Sequence, residues 1–206
     1  MKRFIRYIVV ALTAASLAAG GGRVMADTTD STTYGSGSFG NCNYGSCTIT
    51  LTSGGTTAVD VAPTPTGRCT VQSDTVSVLT DSTSGYTLTM TTSTANNDMT
   101  GAGGNINAAA STAASPAILS MNTWGYRVDG LSGFGAGPTT ARSNGSIPSD
   151  TFAGVPANNG TPTAVASSVG PANPADETTV WYGLCADDTV TSGSYSVSVL
   201  YTAVTN

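Results

Sequence analysis

Apolar and polar residues alternate with a period of two in several parts of the chain. In residues 85–91, Tyr86, Leu88 and Met90 alternate with threonines, which is typical of a strand with one face on a core and one in water. The last part of the chain repeats this alternation, with serines between its first apolar residues. Its large residues are Tyr195, Val197, Val199 and Tyr201.

Shorter runs rich in Thr and Val predict further strands. Turn sequences such as Ser53-Gly54-Gly55 separate several of them at short spacing, which favours antiparallel pairing over strand–helix–strand units. We therefore predict an all-β antiparallel β-sandwich, immunoglobulin-like or jelly-roll-like, with long loops rich in Gly, Ala and Ser. The further strands are expected at residues 48–52, 57–61, 69–71, 75–80, 123–128, 161–169 and 178–185.

Two kinds of segment depart from this pattern. Residues 96–115 are rich in Gly, Ala and Asn, so we expect a surface loop there, with one helical turn at residues 108–110 as the alternative. Phe134 and Phe152 lie in other glycine-rich stretches. We expect these two rings to plug loops or make contacts and to take no part in catalysis.

The amino terminus has the features of a secretory signal peptide. Basic residues at positions 2–6 precede an apolar run at residues 8–19, and small residues surround Ala26. We predict a leader over residues 1–26, with a retained signal anchor as the alternative. The chain would then be exported, without membrane insertion after cleavage, and would be extracellular or held at the cell surface by non-covalent contacts.

The remaining chain is expected to form one domain. Residues 27–41 are polar and predict a flexible arm, and residues 42–206 predict a single β-sandwich. The arm lacks the alternating apolar residues of a donated strand, which argues against assembly of the kind seen in chaperone-assembled pilins.

Charge is distributed unevenly along the chain. Only three basic residues, Arg68, Arg127 and Arg142, follow position 26, whereas all 12 acidic residues lie at or after Asp27. The predicted mature chain therefore carries a net charge of −9. This acidity argues against nucleic acid as a partner, because affinity for nucleic acid comes mainly from basic groups.

The composition removes most catalytic mechanisms. The chain has no histidine, and no lysine follows position 2, so the usual bases for a serine or cysteine nucleophile are missing. Asp176-Glu177 and Asp187-Asp188 are adjacent acidic pairs, and neighbouring residues on a strand point to opposite faces, which makes each a poor acid–base couple. We expect no catalytic activity and no cofactor. Calcium at Asp187 and Asp188, or at the other pair, is a weak alternative.

Four cysteines in an exported chain predict two disulfides. We favour the pairs Cys42 with Cys47 and Cys69 with Cys185. The second pair would tie an early strand to the penultimate one. A zinc site with four thiolates is the competing interpretation.

Four aromatic residues are candidates for a binding face. Trp124, Tyr126, Trp181 and Tyr182 lie on two predicted strands, and exposed rings of this kind bind carbohydrates. Aromatic residues are only 7% of the chain, however, so packing in the core is the competing use of these rings.

Four segments carry a resemblance to known sequences. Together they resemble uncharacterised secreted surface proteins of ultra-small, host-attached bacteria, and the last segment is loosely similar to the final strand of WxL-type wall-binding domains. The first resemblance implies a bacterial surface protein with no established activity. The segments are Tyr44-Gly45-Ser46-Cys47 and residues 122–129, 180–187 and 193–206.

These features together predict a secreted structural or adhesive protein of the cell surface. Its expected partners are components of the cell or host surface, or copies of itself in a self-assembled structure. A carbohydrate- or wall-binding module is the alternative. A binding module predicts exposed aromatic rings along a groove, whereas an assembling subunit predicts an unpaired strand edge.

Overall fold

The computed structural model describes the backbone of residues 9–18 and all of residues 48–206. Within these ranges the chain is all-β, with fourteen strands. They are β1 (Val9–Ala18), β2 (Ile49–Ser53), β3 (Thr56–Ala58), β4 (Arg68–Thr80), β5 (Tyr86–Thr92), β6 (Met99–Gly101), β7 (Gly104–Ala108), β8 (Ala117–Ile118), β9 (Thr123–Arg127), β10 (Arg142–Gly145), β11 (Thr151–Phe152), β12 (Thr163–Ser168), β13 (Ala172–Ala186) and β14 (Ser194–Thr205).

Twelve of these strands belong to one continuous sheet, in the order β10-β4-β13-β9-β7-β6-β14-β1-β3. Strand β2 also pairs with β4, while β5 lies between β12 and β14. Most pairings are antiparallel, but β1 runs parallel to β14 and β7 runs parallel to β9. Strands β8 and β11 form a separate pair.

The sheet folds into two packed layers. We call β2, β4, β9, β10 and β13 the disulfide layer, and β1, β3, β5, β12 and β14 the β14 layer. The β6–β7 hairpin connects them, because β6 pairs with β14 and β7 with β9. Buried residues of both layers form one core, in which the Tyr182 and Tyr201 hydroxyl oxygens lie 2.5 Å apart. This all-β, sandwich-like arrangement confirms the predicted fold class.

The apolar residues that alternate along β5 and β14 are buried in the core. Tyr86, Leu88 and Met90 of β5 are buried. In β14 the large alternating residues are also buried, while Ser194 and Ser196 between them are exposed. Burying each such side chain contributes roughly 1.5–3 kcal/mol, which explains why these strands were readable from the sequence.

Residues 69–80 form one strand instead of two. The sequence interrupts its apolar residues at positions 72–74, but β4 continues through them because β13 pairs with it on both sides of the interruption. Asp74 lies opposite Val180 in this ladder. Strand pairing therefore outweighed the local break in the pattern.

The loop predicted at residues 96–115 is wrong in its first half. Residues 99–108 form the β6–β7 hairpin, which buries Met99 and Ile106. Gly104 closes its turn with φ 119°, a conformation that favours glycine. The hairpin was missed because its strands are short and its outer partners, β14 and β9, lie elsewhere in the sequence.

The predicted disulfide between Cys69 and Cys185 is present. The two cysteines are directly opposite each other in the β4–β13 ladder and are separated by 116 residues in sequence. The bond therefore links strands that are far apart in sequence. Cys42 and Cys47, like the predicted arm at residues 27–41, lie outside the described residues.

The predicted leader overlaps a strand of the sheet. Residues 9–18, most of its apolar run, form β1, and the rest of residues 1–26 lies outside the described part of the chain. Cleavage after Ala26 stays a prediction. In residues 9–18 and 48–206, no helix has the length and apolar character needed to cross a membrane.

Candidate functional site

Three of the four aromatic candidates are buried in the core. Trp124 and Tyr126 are fully buried on β9, and Tyr182 is 2% exposed on β13. The prediction that these three rings mark an exposed binding face is therefore wrong. With few aromatic residues in the chain, the core uses these large side chains to fill the space between the layers.

Trp181 is the exception, because it points to the opposite face of β13 and is only partly buried. It lines a groove of about 510 Å³. Strand β9 pairs with β13 only from Trp181 onward, so in the described structure the preceding part of β13 has no strand partner on that edge. The groove lies beside this edge, and its other lining residues include Glu177, Thr179, Asp129, Leu131 and Pro138.

A buried arginine fixes one wall of the groove. The Arg127 side chain, 4% exposed, donates from Nε to Asp129 Oδ1 at 2.7 Å and to Thr139 Oγ1 at 2.6 Å. Its other nitrogens donate to the carbonyl oxygens of Phe134 and Gly135. The loop that follows β9 is therefore held by a charged group whose donors point inward.

The Asp129 carboxylate is held in this wall by hydrogen bonds from Arg127 and Thr139. Burial acts to raise its pKa, but hydrogen bonds from the Thr139 hydroxyl and amide and from Arg127 outweigh burial and lower the pKa. Sequence reasoning missed this ion pair. The spacing Arg-x-Asp at the end of a predicted strand was the available signal, since positions two apart share a face.

Phe134 and Phe152 are both buried, but Phe152 belongs to the short strand β11 and not to a loop as predicted. The Phe134 ring packs edge-on against Tyr126 with ring centres 5.4 Å apart. Phe152 belongs to a second apolar cluster around the disulfide, on the outer face of β13. Neither ring lines the groove.

The calcium candidates do not form a ligand cluster. Asp187 Oδ1 accepts hydrogen bonds from the Thr189 hydroxyl and amide and from the Asn122 side chain, and these bonds lower its pKa. Asp188 is exposed. Among the described residues, no group of three or more acidic, cysteine or histidine side chains is placed to hold a metal. Asp187 organises the turn that follows β13.

A buried carboxyl group lies between the layers near the tyrosine pair. Asp74 is 5% exposed, and its Oδ1 accepts a hydrogen bond from the Gly54 amide at 2.8 Å. Its Oδ2 is buried without a hydrogen-bond partner in the described structure. Burial raises the pKa of Asp74, although the backbone bonds of Gly54 and Thr75 oppose this effect.

The second candidate site is the position that β1 fills, which we call the strand slot. Ten consecutive residues of β1 pair in parallel with residues 194–203 of β14. On its other side, residues 11–13 pair with β3. The opposite edge of β14 is already paired with β5 and β6. Strand β1 therefore occupies an interior position of the sheet, between β14 and β3.

No known protein family, curated protein or solved structure matches this chain.

Proposed function

We propose that this protein is a secreted structural or adhesive component of the cell surface, without catalytic activity, that associates with other subunits through its sheet. The observation that carries the proposal is the strand slot. The segment that fills it, Val9–Ala18, lies within the leader that the sequence predicts to be removed. A chain beginning at Asp27 would lack this strand.

An open edge of this length favours association. Without β1, the edge of β14 over residues 194–203 would be unpaired, and every second residue along it would present a backbone N–H and C=O with no ladder partner. Unpaired edges of this kind bind extended segments of other chains, either as recognition or as aggregation. A surface subunit makes use of this property, whereas a dispersed monomer has to suppress it.

Two further features support the proposal. The Cys69–Cys185 disulfide is typical of proteins that fold in oxidising compartments outside the cytoplasm. In the groove, the Asp129 carboxylate is held by Arg127 and Thr139, which disfavours its use with Glu177 as an acid–base pair.

Immunogold electron microscopy of producing cells, combined with amino-terminal sequencing of the exported protein, tests the proposal. We expect gold label on the cell surface, on filaments or a continuous layer, and a chain that begins at Asp27. Label confined to the cytoplasm, or protein that is found only as monomers in the medium, would refute a structural role.

The groove supports a second candidate function, a carbohydrate-binding module. Trp181 offers a partly exposed ring, and Glu177 and Thr179 beside it are exposed hydrogen-bonding groups. If glycans bind there, Trp181→Ala should weaken binding about tenfold or more in calorimetry. The matched control is Ile118→Ala, because Ile118 is 53% exposed and does not line the groove. Equal affinity of the two variants would exclude this groove as the glycan site.

A further inference from the structure

Over residues 11–13, where β1 has a neighbour on both sides, the strand slot has room for a single strand. It is bounded by β14 on one side and by β3 on the other, and β1 pairs with both. Neighbouring strands lie about 4.8 Å apart, so the space between β14 and β3 is two strand spacings wide where both are paired. At these positions, with β3 in place, one extended segment fits between β14 and β3, whereas the edge of a second sheet does not.

The register defines what such a segment must contain. Along β14, every second residue from Tyr195 to Ala203 is buried. Cross-strand partners share a face of the sheet, so the occupant needs apolar residues at alternate positions. The β1 residues paired with these buried positions are Val10, Leu12, Ala14, Ser16 and Ala18.

The segment of the predicted mature chain that precedes the described domain does not contain a replacement for β1. Residues 27–47 precede the first described residue of the domain. In this segment, no run of five alternate positions contains more than two apolar residues, even when cysteine is counted as apolar. The β1 segment has four at the corresponding positions. This segment of a second copy of the mature chain would therefore offer only a poorly matched strand.

We propose that the processed protein binds, in the strand slot, an extended apolar strand supplied by a different exported protein, parallel to β14. This inference rests on the proposed function. The partner strand has about ten residues with apolar side chains at alternate positions, and it restores the ladder that β1 makes in the unprocessed chain.

The test uses the full chain with a protease site inserted between Ala26 and Asp27. The oxidised protein is purified uncut, then cleaved, and binding of a fluorescent peptide with the sequence of residues 9–18 is measured by anisotropy. Two variant peptides are compared. Position 12, changed in Leu12→Asp, is in register with Val197 and Thr57, which are both buried, whereas position 11, changed in Ala11→Asp, is in register with Ser196 and Ala58, which are both exposed.

We expect the unmodified peptide to displace fragment 1–26 and to raise the melting temperature of the cleaved protein. The Leu12→Asp peptide should bind about tenfold or more weakly than the Ala11→Asp peptide, because a buried unpaired charge is costly. Failure of the unmodified peptide to bind, or equal affinities of the two variant peptides, would refute the inference.

Electron microscopy of the cleaved protein alone separates this inference from the proposed function. We expect no ordered assembly without an added strand. Filaments of the cleaved protein that exclude the peptide would show that a second copy fills the slot, which would refute the foreign partner and leave the structural role standing. Absence from the cell surface would refute the structural role, while peptide binding would still support the strand slot.

Discussion

The β4–β13 ladder and the β14–β1 ladder are secured in different ways. In the first, two long strands pair antiparallel along most of their length, and Cys69 and Cys185 join them covalently. In the second, β14 pairs in parallel with a segment that the sequence predicts to be removed. The first ladder is complete within residues 48–206, whereas the second needs a segment from outside that range. Under the proposed function, the first ladder would serve stability and the second association.

The largest effect should come from removing β14, which belongs to the second ladder and packs against the first where Tyr201 meets Tyr182. Its four large alternating residues are buried, and burial contributes roughly 1.5–3 kcal/mol for each. Their sum is comparable with the whole stability of a typical domain. Deleting residues 193–206 should therefore unfold the protein, as measured by circular dichroism and thermal melting.

A matched variant controls for the deletion. Ser194→Thr with Ser196→Thr changes only exposed positions of β14 and should be nearly neutral. A deletion mutant that keeps its β-sheet spectrum and a cooperative melt would show that β14 is dispensable for the core.

The disulfide should have the next largest effect. Loop-closure entropy predicts a loss of about 5 kcal/mol in Cys69→Ser/Cys185→Ser, because the bond closes a loop of 116 residues in sequence. A short Cys42–Cys47 loop, if that pair forms, predicts only about 2 kcal/mol. Urea denaturation of the two double mutants measures the difference. If both double mutants lose the same free energy of unfolding, the Cys69–Cys185 bond gives the β4–β13 ladder no special stability.

The tyrosine pair that links the ladders should contribute less. Tyr201→Phe removes the hydroxyl that lies 2.5 Å from the Tyr182 hydroxyl. The buried Tyr182 hydroxyl then loses this partner, which should lower the free energy of unfolding by about 1–3 kcal/mol. Tyr195→Phe is the control. The Tyr195 hydroxyl donates to the Thr191 carbonyl oxygen at 2.7 Å, and this hydrogen bond is only partly buried. If both variants lose the same free energy of unfolding, the pair has no special role in joining the layers.

The smallest effect should be a dependence on pH. Burial raises the pKa of Asp74 in the folded protein, so the folded state binds a proton more tightly than the unfolded chain does. The free energy of unfolding should therefore fall as pH rises from the ordinary value of 3.8 through the raised pKa. Asp74→Asn should flatten this slope in urea denaturation across that window.

Asp129 provides the opposite case. Its pKa is lowered, so its contribution is present above pH 3.8 and is lost as pH falls through the folded-state pKa. Asp129→Asn should leave the slope above pH 3.8 unchanged. An unaltered slope in Asp74→Asn would show that another group titrates there.

The sequence alone determined the fold class and the strands with the clearest patterns. Tyr86, Leu88 and Met90 alternate with threonines, and apolar residues on one face with polar residues on the other are enough to place a strand against a core. The even number of cysteines in a predicted exported chain also led to Cys69–Cys185, since the bond joins two predicted strands. These inferences are local or depend on residue types that have few alternatives.

Tertiary structure decided what depends on distant partners. Trp181 and Tyr182 are adjacent in sequence, yet one lines a groove and the other is buried, because the neighbouring layer covers only one face of β13. The β6–β7 hairpin forms through pairing with β14 and β9, which its own residues do not encode. In the same way, the apolar run of residues 9–18 is compatible with a leader or a strand, and only the edge of β14 defines the slot that it fills.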